Sequence, residues 1–472
     1  MNEGDLAFAP AHRLAKLIAR KELSPVELTE FFLSRIEEAN PRLNAYITVA
    51  ADEAMGFART AEQAVADGEP LGPLHGVPIS IKDLEMTSGI RTTFGSLIFQ
   101  DNVPDSDTGV VERIRGSGAV IMGKTNTPEF GVSGTTENRL GDACRNPWDT
   151  SRTTGGSSGG AGAALAAGLC PVATGSDAGG SIRIPSSFCG VYGIKPTLGR
   201  VPRFGGVARP SPNPVSQAGP MARTVKDAAI LLQLLAGPDE RDVITLREEP
   251  PDYLADLDAG VRGLKIAWSP DLGFATVDPE VAEMTAAAAG LFEEMGATVE
   301  ETDIRLDDPF TNVIPIRLAD AYAAYGHFYE ERREDLSDVV LGRFALGKDV
   351  SGADYARALR YLELMQRQVA LLMEEYDLLL TPTMAVPAFP IGQRPSIIAG
   401  REVDSDWAFN PFNQVFNMTR QPAASVPCGF TSEGLPVGLH VVGRLRDEAM
   451  VLRASAAFEK VSPWADTRPP VA

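Results

Sequence analysis

Residues 160–169 read GAGAALAAGL, a run in which leucine is the only residue larger than alanine. Elements pack closer together as the side chains between them shrink, so the run is read as a helix pressed against a sheet and not as a binding surface. Such a helix needs a large fold around it, and the chain is 472 residues long. That length corresponds to about three average domains, although α/β enzymes often hold it in a single unit. Apolar residues make up 44% of the sequence and charged residues 22%, which suits a folded, water-soluble protein and excludes disordered and fibrous classes.

Strand-like and helix-like segments alternate along the chain. LSPVELTEFFLSRIEEANP reads as a helix with Ser24 as N-cap, Pro25 at its first position, Glu27 closing a capping box and Asn40-Pro41 ending it. Leu28, Phe31, Phe32 and Ile36 form its apolar face. HGVPISIKDLE reads as a strand, because Val77, Ile79 and Ile81 alternate with Pro78, Ser80 and Lys82. GAVIMGK (118–124) and LCPVATGS (169–176) are further strands. A Pro/Gly-rich stretch at 201–221 precedes a helix near 224–236 and an acidic connector near 237–260, which is either a domain boundary or a surface loop. LKIAWSPD, a helix begun by Asp278-Pro279, and ATVEETDI make a β-α-β unit. Helical segments near 312–334 and 351–376 lead to DLLLTP, AASVPCGF and LPVGLHVVG, all strands. The predicted class is therefore α/β, with a large mixed sheet covered by helices on both faces.

The formal charge of −20, with no run of lysines or arginines to neutralise phosphates, argues against a nucleic-acid partner. The N-terminus lacks a basic start followed by an apolar core, and no run of about 18 apolar residues follows, so a cytoplasmic protein away from the membrane is expected. Cys144, Cys170, Cys189 and Cys428 form no CxxC pair and His12, His75, His327 and His440 no HExxH motif, so buried, reduced thiols and no metal site are expected.

Two motifs mislead. GAVIMGKT (118–125) satisfies the phosphate-loop pattern, yet its middle residues are apolar and Pro128 follows closely, so it is read as a strand. GGSSG and GSSGG fit the GxSxG nucleophile elbow at Ser157 and Ser158. That elbow needs a buried strand directly before it, and CRNPWDTSRTT is too polar and turn-rich.

Ser181 sits differently. PVATGSDAGGSIRIP is a strand, a glycine turn and a serine where a helical turn can begin. Backbone N–H groups from Ala178, Gly179, Gly180 and Ser181 are placed to converge on a carbonyl oxygen. The stretch alone fits a nucleophile and a structural turn equally. Lys82 interrupts an apolar strand: either the strand is an edge with its lysine in water, or the lysine is buried, deprotonated and usable as a base.

Taken together, PLHGVPISIKD, GKTNTPEF, NPWDTSRTTGGSSGGAGAALAAG, GGSIRIPSSFCGVYGIKPT and, more weakly, QPAASVPCGFTSEGLPVGLHVVG resemble the signature of the amidase signature family of serine hydrolases. The resemblance implies the amidase signature fold, with 1–224 and 410–472 as a catalytic core and 225–409 as a peripheral, substrate-shaping region. It implies a triad of Lys82, Ser157 and Ser181, with Ser181 the nucleophile and Ser157, preceded by a cis peptide bond, relaying the proton to Lys82. The N–H groups at 178–181 become the oxyanion hole, and Ser158, Asp177 and Arg183 support the site unless they are surface or capping residues. No cofactor or metal is needed.

The implied activity is hydrolysis of C–N bonds in a small-molecule amide or carbamate (urethane), with aryl-amide and ester capacity, through an acyl-enzyme. The family also holds a glutamine-hydrolysing amidotransferase subunit, whose usual glutamine after SIR is Ile184 here, which favours a stand-alone hydrolase. A non-catalytic binding subunit of the same fold is the remaining alternative, and a homo-oligomer is compatible with either. Aromatic residues in the segments 130–137, 310–330 and 380–415, Phe130, Phe310, Tyr325, Trp407, Phe409 and Phe412 among them, are read as pocket walls or as core.

Overall fold

The computed structural model describes residues 3–205 and 215–471. In chain order its strands are Tyr46–Val49 (β1), Pro78–Lys82 (β2), Val120–Thr125 (β3), Val172–Asp177 (β4), Tyr192–Lys195 (β5), Gln217–Ala222 (β6), Lys265–Trp268 (β7), Thr298–Glu301 (β8), Leu378–Pro382 (β9), Ile397–Ile398 (β10), Arg401–Glu402 (β11), Ala423–Phe430 (β12) and Pro436–Gly443 (β13). The short pair β10 and β11 stands apart, and the rest form one 11-stranded sheet in the order β1-β3-β2-β4-β6-β5-β12-β13-β9-β7-β8. The expected mixed α/β architecture is thus present.

The mixture has a pattern. β2 runs parallel to both β3 and β4, and β7 runs parallel to β8 and β9, while the strands between these wings are antiparallel. Every residue of β2, β3 and β4 is buried, which is what a parallel strand covered on both faces requires. Parallel neighbours end on the same sheet edge, so Lys82 at the end of β2 and Asp177 at the end of β4 finish side by side. In open α/β sheets that edge is where ligands bind.

The small-residue run forms the helix Gly159–Ala166, buried along its whole length and packed against β2, β3, β4 and the helix Arg183–Cys189. Its size limit is set by backbone, since a Cβ on Gly160 would lie 2.2 Å from the Asn126 nitrogen and 2.4 Å from the Ala45 carbonyl oxygen.

Several elements depart from expectation. The first long helix, Pro25–Leu43, continues past Pro41 and ends where Asn44 turns left-handed (φ 48°). A proline in the last turn removes one hydrogen bond, which is too small a loss to stop the helix there. Ser24 does cap it, accepting from Val26 and Glu27, but its hydroxyl donates to Glu62 of the neighbouring helix and no reciprocal Glu27 bond closes the box among the described residues. The Pro/Gly-rich stretch carries no strand pattern, yet β6, which begins inside it, is central, between β4 and β5. Gly219 and Pro220 normally argue against such a place. Residues 206–214 of that stretch lie outside the described residues.

The connector at 237–260 is a loop that folds back onto the core, with Gly237 donating to Arg200 and Leu246 to Gly199. Within 225–409, β7, β8 and β9 extend the common sheet, while the helices Pro309–Glu331, Asp338–Lys348 and Gly352–Glu375 build separate apolar clusters beside it. Among the described residues no helix is long and apolar enough to cross a membrane.

Because backbone atoms wall in residue 160, Gly160→Ala is expected to cost about 1–3 kcal/mol of stability, measured by urea unfolding, despite alanine's better helix propensity.

Candidate active site

β2 lies between β3 and β4, so Lys82 is not on an edge strand. Its side chain is fully buried, and the Nζ donates to Ser157 Oγ at 2.7 Å and to the Ser176 carbonyl at 3.3 Å. Burial pushes its pKa down from 10.5 to about 7, against the opposing pull of Asp177 and Glu85. Burial, with no carboxylate in contact among the described residues, is what favours the neutral amine.

Lys124, of the misleading phosphate-loop pattern, lies in β3 as expected. Its ammonium bonds the Glu85 carbonyl and, at 2.9 Å each, Thr87 and Thr92, with Asp83 at 4.0 Å. It is a structural cation and faces no phosphate cradle.

Ser157 is preceded by a cis peptide bond after Gly156 and is almost wholly buried. The expected support from Ser158 is indirect. Its hydroxyl pairs with the Ser176 backbone at 3.4 Å, not with Lys82 or Ser157, and its N–H donates to the Ser181 carbonyl at 3.1 Å. That last bond ties the two serine segments together.

The turn carrying Ser181 is organised by Asp177. Its carboxylate accepts five hydrogen bonds: from the N–H groups of Gly180 (2.7 Å) and Ile182 (3.1 Å), from Arg183 Nε and Nη2 (3.0 Å each), and from Asn417 Nδ2 (2.9 Å). Burial pushes this carboxyl up, but Arg183, by charge and hydrogen bond, then Lys195 and the Gly180 N–H outweigh it and hold it well below the usual range. Both Asp177 and Arg183 are fully buried, so neither is a surface residue.

One expectation needs correcting here. Gly180 N–H is taken by Asp177 and is not free for an oxyanion. The N–H groups of Ala178, Gly179 and Ser181 donate to no acceptor among the described residues. Gly180 serves through shape: its φ is 116°, and a Cβ there would lie 2.8 Å from Asn413.

Three residues that the sequence motifs did not mark complete the cradle. Asn410 donates to the Gly179 carbonyl (2.7 Å), Asn413 to Asn410 (2.6 Å) and to Thr383, and Asn417 to the carbonyl and carboxylate of Asp177 (2.9 Å each). Asn410 precedes the helix Pro411–Met418, and the spacing 410, 413, 417 puts three amides on one face. That periodicity of polar residues in an apolar helix was the available signal.

The histidines stay out of the site. His440 in β13 is buried with its Nε2 3.0 Å from Arg183 Nη1, and burial, then Arg183, keep its pKa well below the usual value. A ring facing a guanidinium is not placed as a base for either serine. Phe409 and Phe412 are buried in the cluster around the long helices, and Phe130 stacks on Tyr325 at 4.3 Å in another cluster, whereas Trp407 lines a cavity with Asn410.

A buried lysine at the end of β2, a serine before the small-residue helix and a second serine in the turn after β4 are thus brought to one edge of the sheet, an arrangement met again in amidase signature enzymes of known structure. The structure of a bacterial aryl acylamidase of that class superimposes with a TM-score of 0.90 at 33% identity, covering 97% of each chain. Residues 27–452 match the Amidase family model, and the chain belongs to this family of amide-hydrolysing enzymes. An acylamidase from Rhodococcus erythropolis is 39% identical over 481 residues, covering 99% of this chain and 98% of that one. A glutamyl-tRNA(Gln) amidotransferase subunit from Moorella thermoacetica is 40% identical over 489 residues, covering 98% of this chain and 99% of that one.

Two outcomes follow from the buried charges. Asp177→Asn strands the Arg183 guanidinium and is expected to cost about 3–5 kcal/mol in urea unfolding. Lys82 holds its proton less tightly when folded, at about 7, than at its usual 10.5. Between those values the unfolded chain carries a proton that the folded chain lacks, so the stability from this residue rises with pH and is lost as pH falls to about 7. The difference in unfolding free energy, wild type minus Lys82→Met, should therefore grow across that window by at most about 1.4 kcal/mol per pH unit.

Proposed function

We propose that the protein is a stand-alone acyl-amide hydrolase in which Ser181 is the nucleophile, Ser157 the proton relay and Lys82 the base. The observation that carries this reading is the 2.7 Å bond from a fully buried Lys82 to Ser157 Oγ. With its pKa near 7, the lysine both accepts and returns a proton at neutral pH.

In the first step Ser157 passes its proton to neutral Lys82 and takes the proton of Ser181, whose oxygen bonds to the carbonyl carbon. The N–H groups of Ala178, Gly179 and Ser181 receive the oxyanion. As the C–N bond breaks, the proton returns from Lys82 through Ser157 to the leaving nitrogen, and the acyl group stays on Ser181. Water then repeats the sequence, giving the free acid and restoring Ser181. The cycle needs no cofactor or metal.

The substrate class follows the acylamidase relatives: aryl and other acyl amides, with carbamates (urethanes) and esters attacked at the same carbonyl. The protein acts on small molecules in the cytoplasm without a nucleic-acid or membrane partner. A second reading, hydrolysis of glutamine for an amidotransferase, is favoured by the 40% identity to the Moorella thermoacetica protein and disfavoured by Ile184 in place of glutamine.

A fluorophosphonate probe followed by peptide mapping should give one adduct, on Ser181, formed at least a hundredfold more slowly in Lys82→Ala. An adduct on Ser157 or Ser158 would contradict the assignment, and no adduct at all would favour a non-catalytic binding role. For an acyl anilide, kcat/KM should rise as pH passes through about 7 and level off above it, because only the neutral lysine accepts the proton. Ammonia release from glutamine that outpaces anilide hydrolysis would select the second reading.

A further inference from the structure

Arg317 is an anomaly. It lies on the helix Pro309–Glu331, partly buried, with its Nη1 enclosed by protein and without a hydrogen-bond partner among the described residues. The guanidinium lies against the nucleophile turn: a Cβ added to Gly179 would sit 2.7 Å from Arg317 Nη1. The guanidinium thus occupies the space beside Gly179, and that same glycine offers one of the N–H groups of the turn without an acceptor among the described residues.

Of the carboxylates around it, Asp177 and Asp406 are engaged by other groups, and Asp320 acts on it through charge. Asp177 already accepts five hydrogen bonds from the turn, Arg183 and Asn417. Asp406 faces two other arginines, at 3.1 Å from Arg394 and 3.8 Å from Arg343. Among the described residues Arg317 makes no ion pair, and burial, then Arg343, push its pKa down to about 10 against the opposing pull of Asp177 and Asp320. Lost hydration without a replacement partner is costly for a charged group, so the arrangement is poised for an anion.

A second orphan lies beside the first. The Arg317 Cζ is 5.4 Å from the centre of the Trp407 ring, and the indole Nε1 of Trp407 is likewise buried without an acceptor among the described residues. Arg343 flanks the same ring at 5.1 Å. Trp407 lies three residues before Asn410, which holds the Gly179 carbonyl, so ring and guanidinium border the same turn.

We propose that Arg317, with Trp407 Nε1 beside it, forms an anion subsite that receives a carboxylate carried by the substrate a few bonds from its scissile carbonyl. A planar guanidinium matches a carboxylate with parallel N–H donors. The subsite narrows the substrates from acyl amides in general to those bearing an acid group, and in this it rests on the hydrolase reading above. The chain as a whole carries a charge of −20, so the selection of an anion is local to this cluster of arginines.

The test uses two matched pairs: succinanilic acid against its neutral amide, and 4-acetamidobenzoate against 4-acetamidobenzamide. Binding to Ser181→Ala is measured by calorimetry, and kcat/KM is measured with the intact enzyme. In at least one pair the acid should bind at least tenfold more tightly than the amide, and added salt should weaken that preference. Arg317→Met should cut the preference by roughly tenfold to a hundredfold, as expected for loss of a charged hydrogen bond. Arg317→Lys should retain part of it, and Trp407→Phe, which keeps the ring and removes the donor, should lose a smaller part. No preference in either pair, or one that survives Arg317→Met, would overturn the subsite. If Ser181→Ala prefers the acids while the intact enzyme hydrolyses none of the four, the subsite stands and the hydrolase reading falls. Hydrolysis of amides with no preference for acids would mean the reverse.

Discussion

The Asp177 carboxylate organises the structure around the site. It stands at the end of β4 and gathers two backbone N–H groups, both arms of Arg183 and the amide of Asn417. A buried charge is tolerable only when its lone pairs are filled, and here filling them requires the chain to turn back on itself between 177 and 183. That turn presents Ser181, leaves the N–H groups of Ala178, Gly179 and Ser181 without acceptors among the described residues, and uses Gly180 where any side chain would strike Asn413. The same carboxylate consumes the Gly180 N–H, so the polar group that builds the turn also limits what the turn can offer a substrate.

The second constraint is dehydration. Lys82 sits on an interior strand with every neighbouring residue of β2 buried, and among the described residues its amine bonds a hydroxyl and a carbonyl. Lys124 and Lys195, also fully buried, have their pKa values pushed down by the same cause, to about 8 and about 7. What distinguishes Lys82 is therefore not burial but its neighbour: Ser157 Oγ, on a segment tied through the Ser158 N–H to the Ser181 carbonyl. The small-residue helix makes this possible, because glycine at 160 lets the serine segment approach the end of β3 and the start of β1 closely.

Around this core the long helices of the region 309–375 bring in groups from far along the chain. Arg317 reaches the turn carrying Ser181 from one helix and Arg343 flanks Trp407 from another. The turn carrying Ser181 is thus built from local contacts among residues 157–183 and held from outside by Asn410 and Asn417, while the arginines beside it are delivered by helices more than a hundred residues downstream.

Much of the fold and of the site was legible in the sequence, for a physical reason. Alternating apolar residues marked β2, strand-like runs marked β12 and β13, the run of alanines and glycines marked a close-packed helix, and Lys82, Ser157 and Ser181 stood in motifs whose glycines and serines serve local geometry. Local patterns fail where tertiary context overrides them. Pro41 did not end its helix, and β6 holds Gly219 and Pro220 in the centre of a sheet because neighbours on both sides supply what local propensity withholds. Sequence by itself determined the class of fold and which serines and lysine to watch, since those depend on periodicity and residue type. Only the tertiary structure decided that Lys82 is buried and not at an edge, that Gly180 gives its N–H to Asp177, and that Arg317 lies against Gly179 with its Nη1 without a hydrogen-bond partner among the described residues. Each of these depends on which atoms from distant segments come within about 3 Å, the range over which a hydrogen bond is made or lost.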